Sequence, residues 1–145
     1  MFELGTDGPK SILVAVDGSE PSLRASAYAA GLARRQGAEL IAVFVHTAGG
    51  LAATRPEAIV GVQESNRSVA AELQRTLSEN SARLGLKARL VERHGSPLDE
   101  ISKVADELRV DAVIVGASSQ VGHRFVGALG IHLVKLARWP VTVVP

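Results

Sequence analysis

The chain has 145 residues, enough for a single core, and its 16 Lys and Arg against 15 Asp and Glu leave a formal charge of +1. A surface so evenly balanced excludes the electrostatic case for a nucleic-acid or anionic membrane partner. The absence of cysteine removes disulfides, thiolate metal sites and cysteine nucleophiles, and fits a reducing compartment.

Residues 1–10, MFELGTDGPK, read as an N-terminal tail and 11–145 as one domain. The tail has acids and glycines where a secretory signal needs a basic start and an apolar run, and no later stretch approaches the roughly 18 apolar residues that span a bilayer. The chain is therefore read as cytoplasmic. SILVAV (Ser11 to Val16) is a β-branched strand that stops at DGSEPS, which supplies turn residues, a serine N-cap and a proline for a first helical turn. An alanine-rich helix is expected from about Ser22 to Gln36, ended by Gly37, and Glu39 to Thr47 is an apolar run suited to a strand buried on both faces.

TAGGLAATRPEAIVG has no periodicity and reads as a connection. Val69, Leu73 and Leu77 then recur at helical spacing, which predicts an amphipathic helix from Val62 to about Leu84 with Gly85 as its stop. Lys87 to His94 alternates and carries four charges, the pattern of an edge strand protected against stray pairing. Ser96, Pro97 and Asp99 make a capping box for a helix whose apolar stripe is Leu98, Ile101, Ala105 and Leu108. DAVIVG is a buried strand, Phe125 to Arg138 a helix with His132, Lys135 and Arg138 on its polar stripe, and PVTVV a last short strand.

Five strands alternating with four helices imply right-handed crossovers and a mostly parallel α/β sheet covered on both faces. Such sheets bind ligands past the carboxyl ends of the strands where the winding reverses. An order of 3-2-1-4-5 brings Asp17, after the first strand, and Gly116, after the fourth, into one crevice. There Gly116 would let backbone approach a phosphate. Ser118 and Ser119 offer hydroxyls, Arg124 a charged fork, His123 another donor, and the following helix its N-terminal N–H groups. The plain alternatives are that Gly116 only turns the chain, that Asp17 with Ser19 only caps a helix, and that Arg124 is solvated. His46, His94 and His123 follow strands, but nothing in their spacing makes a metal site, and none is expected.

Enzyme readings fare poorly. GASSQ lacks the second glycine of a nucleophile elbow, VDGSE has too few acids for aspartyl-phosphate chemistry, and no general base stands beside a nucleophile. Dedicated catalysis is not expected.

The segments ILVAVDGSEPSLRAS, VDAVIVGAS and GALGIHLVKLARWPVTVV, in this order and at these intervals, resemble the universal stress protein family over nearly the whole chain. The resemblance implies a single-domain, Rossmann-like three-layer sandwich of the adenine nucleotide alpha hydrolase type, a homodimer acting in stress response and, in one subclass, bound ATP with Mg²⁺. On that pattern Ala15, Val16, Val45 and Val115 line the nucleotide floor, with Val45 at adenine and Asp17 near the ribose or a nucleotide-bound Mg²⁺. The subclass carries two glycines three apart, then a closing Gly followed by Ser or Thr. Here Gly116 fits the first position, Ser119 replaces the second, and Gly127-Ala128 stands for the closing pair, or Gly130-Ile131 in another register.

Two readings follow: an adenine-nucleotide-binding regulatory dimer with a degenerate phosphate loop, or a nucleotide-independent interaction module of the same fold. The uncharged last strand, Val141, Thr142, Val143 and Val144, is the expected dimer edge, since unpaired backbone groups there template a second chain.

Overall fold

The computed structural model describes residues 8–47, 56–120, 123–125 and 127–145. Its elements are β1 (Ser11–Ala15), α1 (Glu20–Gln36), β2 (Glu39–His46), α2 (Pro56–Leu84), β3 (Ala88–His94), α3 (Pro97–Glu107), β4 (Ala112–Gly116), β5 (Ser118–Gln120), β6 (His123–Phe125), α4 (Ala128–Leu136) and β7 (Val141–Val144). Five strands form one parallel sheet in the order β3-β2-β1-β4-β7, which is the expected 3-2-1-4-5 arrangement, while β5 and β6 pair antiparallel as a separate hairpin. No described helix is long and apolar enough to cross a membrane.

Alternation along the strands divides the core in two. Ile12, Val14, Leu40, Ala42 and Ile114 face Ala25, Ala29 and Ala33 of α1, and α2 adds Leu73 and Leu77 on the same side. Leu13, Ile41, Val43, Val113 and Val115 face Ile101, Val104 and Ala105 of α3 and Leu133 of α4. Ile12, Leu13, Leu40, Ile41 and Ile114 are fully buried, each stabilising the fold by about 1.5–3 kcal/mol. Because α1 and α2 cover one face and α3 and α4 the other, the winding reverses between β1 and β4. Their pairing is reinforced at its start, where the Lys10 and Ser11 N–H groups donate to Asp111 Oδ2 at 2.7 and 3.0 Å.

α1 begins at Ser19, whose hydroxyl accepts from Ser22 N, with Pro21 in the first turn, and it ends where Gly37 adopts φ 66°. Its buried side is alanine at every fourth position, so the helix lies close on the sheet. At Gly116 the approach is tight: a Cβ there would stand 2.5 Å from the Pro21 carbonyl carbon, 2.6 Å from its oxygen and 2.8 Å from Ser22 N.

Several boundaries move. α2 starts at Pro56, so the connection read through Gly61 is shorter by the helix's first turns; its remainder, 48–55, lies outside the described residues, as do residues 1–7 of the expected tail. α3 starts after Ser96 as expected, but the Ser96 side chain makes no capping bond and Leu108 is the C-cap residue.

α4 runs from Ala128 to Leu136 rather than Phe125 to Arg138. At one end Ser118, Ser119 and Gln120 pair with Phe125, Arg124 and His123, which commits those residues to extended backbone. At the other, Ala137 turns left-handed with φ 53°. His132, Lys135 and Arg138 are exposed as expected, and Arg138 also reaches Asp106 on α3 at 2.8 Å. The same helix exposes Ile131, Val134 and Leu136, which the polar stripe did not foretell.

The two sheet edges differ. On β3, Arg89 pairs with Glu39 and Arg93 with Glu107, both at 2.9 Å, while Glu92 bonds His46 at 2.9 Å; Lys87 precedes the strand. β7 has no charged side chain. Val113 N donates to Pro140 O and Ala117 N to Val144 O, so even-numbered groups of β7 face β4 and the backbone groups of Val141 and Val143 face outward.

Replacing Gly116 by Ala should push α1 off the sheet and lower stability by about 1–3 kcal/mol, the usual cost of overpacking. Chemical denaturation of both proteins, with no ligand present, measures it.

Candidate functional site

A crevice of 550 Å³ opens over the carboxyl ends of β1, β2 and β4, where the winding reverses. Of the residues the sequence singled out, Ala15, Val16, Asp17, Val45, Val115, Gly116 and Gly127 line it together. Ala128 does not; it is exposed at the start of α4. Ser118, Ser119, His123 and Arg124 belong to the β5–β6 hairpin rather than to an irregular loop, and their side chains lie outside the described residues.

The polar end of the crevice is the β1–α1 turn. Asp17 Oδ1 accepts from Ser19 N at 2.8 Å, Asp17 N donates to Ser22 Oγ at 3.3 Å, and Ser22 Oγ donates to Ser19 O at 2.9 Å. Gly18 holds φ 85° with Val69 of α2 2.9 Å from where its Cβ would be, so this corner of the turn is closed to side chains. The expectation that Asp17 and Ser19 organise the helix start is met, and it coexists with a place on the crevice wall. Burial pushes the Asp17 carboxyl up, but the hydrogen bonds from Ser19, Ser22 and its own backbone outweigh it and hold the group below its ordinary 3.8.

Gly116 is explained differently from the sequence reading. Its missing side chain makes room for the first turn of α1, so the need for glycine there arises from packing, whatever the crevice holds.

Several lining residues escaped the sequence reading. Thr47 and Asn66 close the β2 side, and Asn66 Nδ2 donates to Thr47 O at 3.2 Å, tying α2 to the end of β2. Pro97 and Ile101 come from α3, and Leu129 and Gly130 from the first turn of α4. Gly130 carried a signal, as the alternative closing glycine, whereas nothing in the sequence marked Asn66 within the amphipathic helix. The N-cap of α4 is Gly127, buried and extended (φ −66°, ψ 166°), with Ile131 N making the first helical bond back to Gly127 O at 3.1 Å. A glycine cap has no side chain for the first-turn N–H groups, which leaves them and the positive end of the helix for an anion. Much of the rest of the lining is apolar, including Val43, Phe44, Val45, Ile101, Val115 and Leu129.

Beside the crevice His46 and His94 stack with ring centroids 4.4 Å apart, and Phe44 meets His46 edge-on. Among the described residues no group of three or more His, Cys, Asp and Glu is placed to hold a metal ion.

The depressed Asp17 pKa adds stability that is present above the ordinary carboxylate range and lost as the pH falls through the folded value, below 3.8. Asp17→Asn should therefore melt lower than wild type at pH 7, by less than about 1 kcal/mol for so exposed a group, and the gap should close as the pH drops below 3.8. Thermal melts across that range check it.

The sequence model of the Universal stress protein family matches residues 9–145. A Methanocaldococcus jannaschii protein described as universal stress protein MJ0531 is 26% identical over 140 residues, covering 93% of this chain and 81% of the relative. A crystal structure from Burkholderia pseudomallei, described as a protein of the universal stress protein family, is 26% identical with a TM-score of 0.69, covering 94% of this chain and 96% of that one. One from Arabidopsis thaliana, described as a universal stress protein family protein with AMP bound, is 21% identical with a TM-score of 0.67, covering 94% and 91%. With residues 9–145 matched by the family model and its sheet wound in the expected order, the chain belongs to the universal stress protein family.

Proposed function

We propose that this protein is a regulatory homodimer of the stress response whose crevice binds an adenine nucleotide. The observation that carries this is the pairing, within one crevice, of an apolar lining with the uncapped first turn of α4. Adenine lies against that lining beside Val45 and Val115, the ribose lies towards Asp17, and phosphate meets the N–H groups that follow Gly127. A relative of the same fold described with AMP bound supports the choice of base. Asp17 lines the crevice at this turn, and its carboxylate is the acidic group there for a ribose hydroxyl or for the water shell of a nucleotide-bound Mg²⁺. The nucleotide acts as an effector rather than a substrate, since the described crevice pairs no nucleophile with a general base.

A second reading, a nucleotide-independent interaction module, draws on two observations. Gly116 is accounted for by α1 alone, and Ser119 stands where the nucleotide-binding pattern has its second glycine. For the dimer, support comes from the uncharged β7 edge and from α4, which packs on β7 and exposes Ile131, Val134 and Leu136. Such apolar surface helps a short strand reach the ~1,000 Å² of a stable interface.

Calorimetry with AMP and with ATP plus Mg²⁺ should give a dissociation constant below about 1 mM, equivalent to about 4 kcal/mol; weaker binding of both favours the second reading. Gly127→Asp and Gly127→Asn both supply a cap, but only the aspartate repels phosphate, so the Asp variant should bind AMP at least about tenfold more weakly than the Asn variant, with adenosine affected equally by both. For the dimer, Val143→Pro removes an outward-facing N–H while sparing the ladder to β4. Sedimentation at matched concentration should show wild-type dimer and a variant shifted towards monomer.

A further inference from the structure

α1 and α2 cover the same face of the sheet yet make almost no contact with each other, and a groove of 530 Å³ runs between them. Its floor is Val14 and Leu40, buried to within 1%. Its wall on α2 includes Leu73 and Leu77; on α1, between Leu23 and Arg34 at the two ends, it is lined by the short Ser26, Ala27, Ala30 and Gly31. A Cβ on Gly31 would meet nothing within 4 Å outside its own helix backbone, so the space beside it is open. Small residues normally let two helices close together. Here the helices stay apart.

The groove has one charged side chain, Arg34, in the last turn of α1. Arg24, Arg75 and Arg89 pair with Glu20, Glu72 and Glu39, whereas among the described residues Arg34 has no acidic partner. From Leu23 to Arg34 the groove follows α1 for about 16 Å, and its volume falls in the range of roughly 300–1,000 Å³ that holds small ligands.

We propose that this groove binds an amphipathic carboxylate, its unbranched alkyl tail between α1 and α2 and its head group on Arg34. The apolar floor and the groove's length along α1 suit one alkyl chain, and Arg34 at the end, its one charged side chain, fixes the direction. Val16 is the single residue that the groove shares with the nucleotide crevice, so the inference does not rest on nucleotide binding.

The test is titration of the full chain with decanoate and, separately, with decanol. Decanoate should bind wild type in the micromolar range. Gly31→Leu fills the groove from a helix position that favours leucine over glycine, so it should keep or raise the melting temperature while weakening decanoate at least tenfold. Arg34→Gln should weaken decanoate several-fold and leave decanol unchanged. No binding to wild type, or binding that Gly31→Leu does not alter, overturns the proposal. So does a change in sedimentation on Gly31→Leu without any decanoate binding, which would make the groove a contact between copies.

Discussion

The first turn of α1 rests on the end of β4 so closely that a single methyl group on Gly116 would stand 2.5 Å from the Pro21 carbonyl carbon. That contact fixes where α1 starts, and with it the turn that carries Asp17 and Ser19 and the direction in which the β1 end of the crevice opens. It also explains the alanines at 25, 29 and 33, since a helix anchored this near the sheet has no room for longer side chains beneath it. One geometric demand at the winding reversal thus sets composition along a whole helix.

The fold was legible because its signals are local and repeated. Apolar runs bounded by glycine marked the strands, and the charged Lys87 to His94 segment marked the edge it occupies. Strand order alone brought Asp17 and Gly116 to one crevice, whereas the floor residues Ala15, Val16, Val45 and Val115 came from the family resemblance. What failed to show depends on contacts between distant segments. Nothing in GASSQVGHRF distinguishes a phosphate loop from a hairpin, because β5–β6 pairing depends on cross-strand register rather than on turn residues alone. Asn66 of α2 meets Thr47 at the end of β2 only in the folded chain, and Gly116 read as a ligand glycine because the helix above it was not in view. Ser96 shows that a correct capping motif can open a helix without making its side-chain bond.

The two faces of the sheet are built on different terms. Behind β1 and β4, α3 and α4 bring Ile101, Val104 and Leu133 into a closely filled layer, and their contact is strengthened by the Arg138–Asp106 pair. In front, alanine brings α1 down onto the strands but leaves it too short-sided to meet α2. The depth of the helix and the gap beside it come from small residues on two of its sides, Ala25, Ala29 and Ala33 on the sheet and Ala27, Ala30 and Gly31 towards α2.

The pairing of β1 with β4 joins positions a hundred residues apart, Ile12 with Ala112, and the Asp111 carboxylate seals it from 101 residues away. β1 is the middle strand, so during synthesis one of its edges waits for a partner that has not been made. At ribosomal rates of about 5–20 residues per second, that wait is on the order of 5–20 s. Until then a nearly continuous apolar strand, SILVAV, has β2 on one side and nothing on the other. Long-range closure of this kind slows folding, and it makes the nascent chain rather than the finished protein the form most exposed to aggregation.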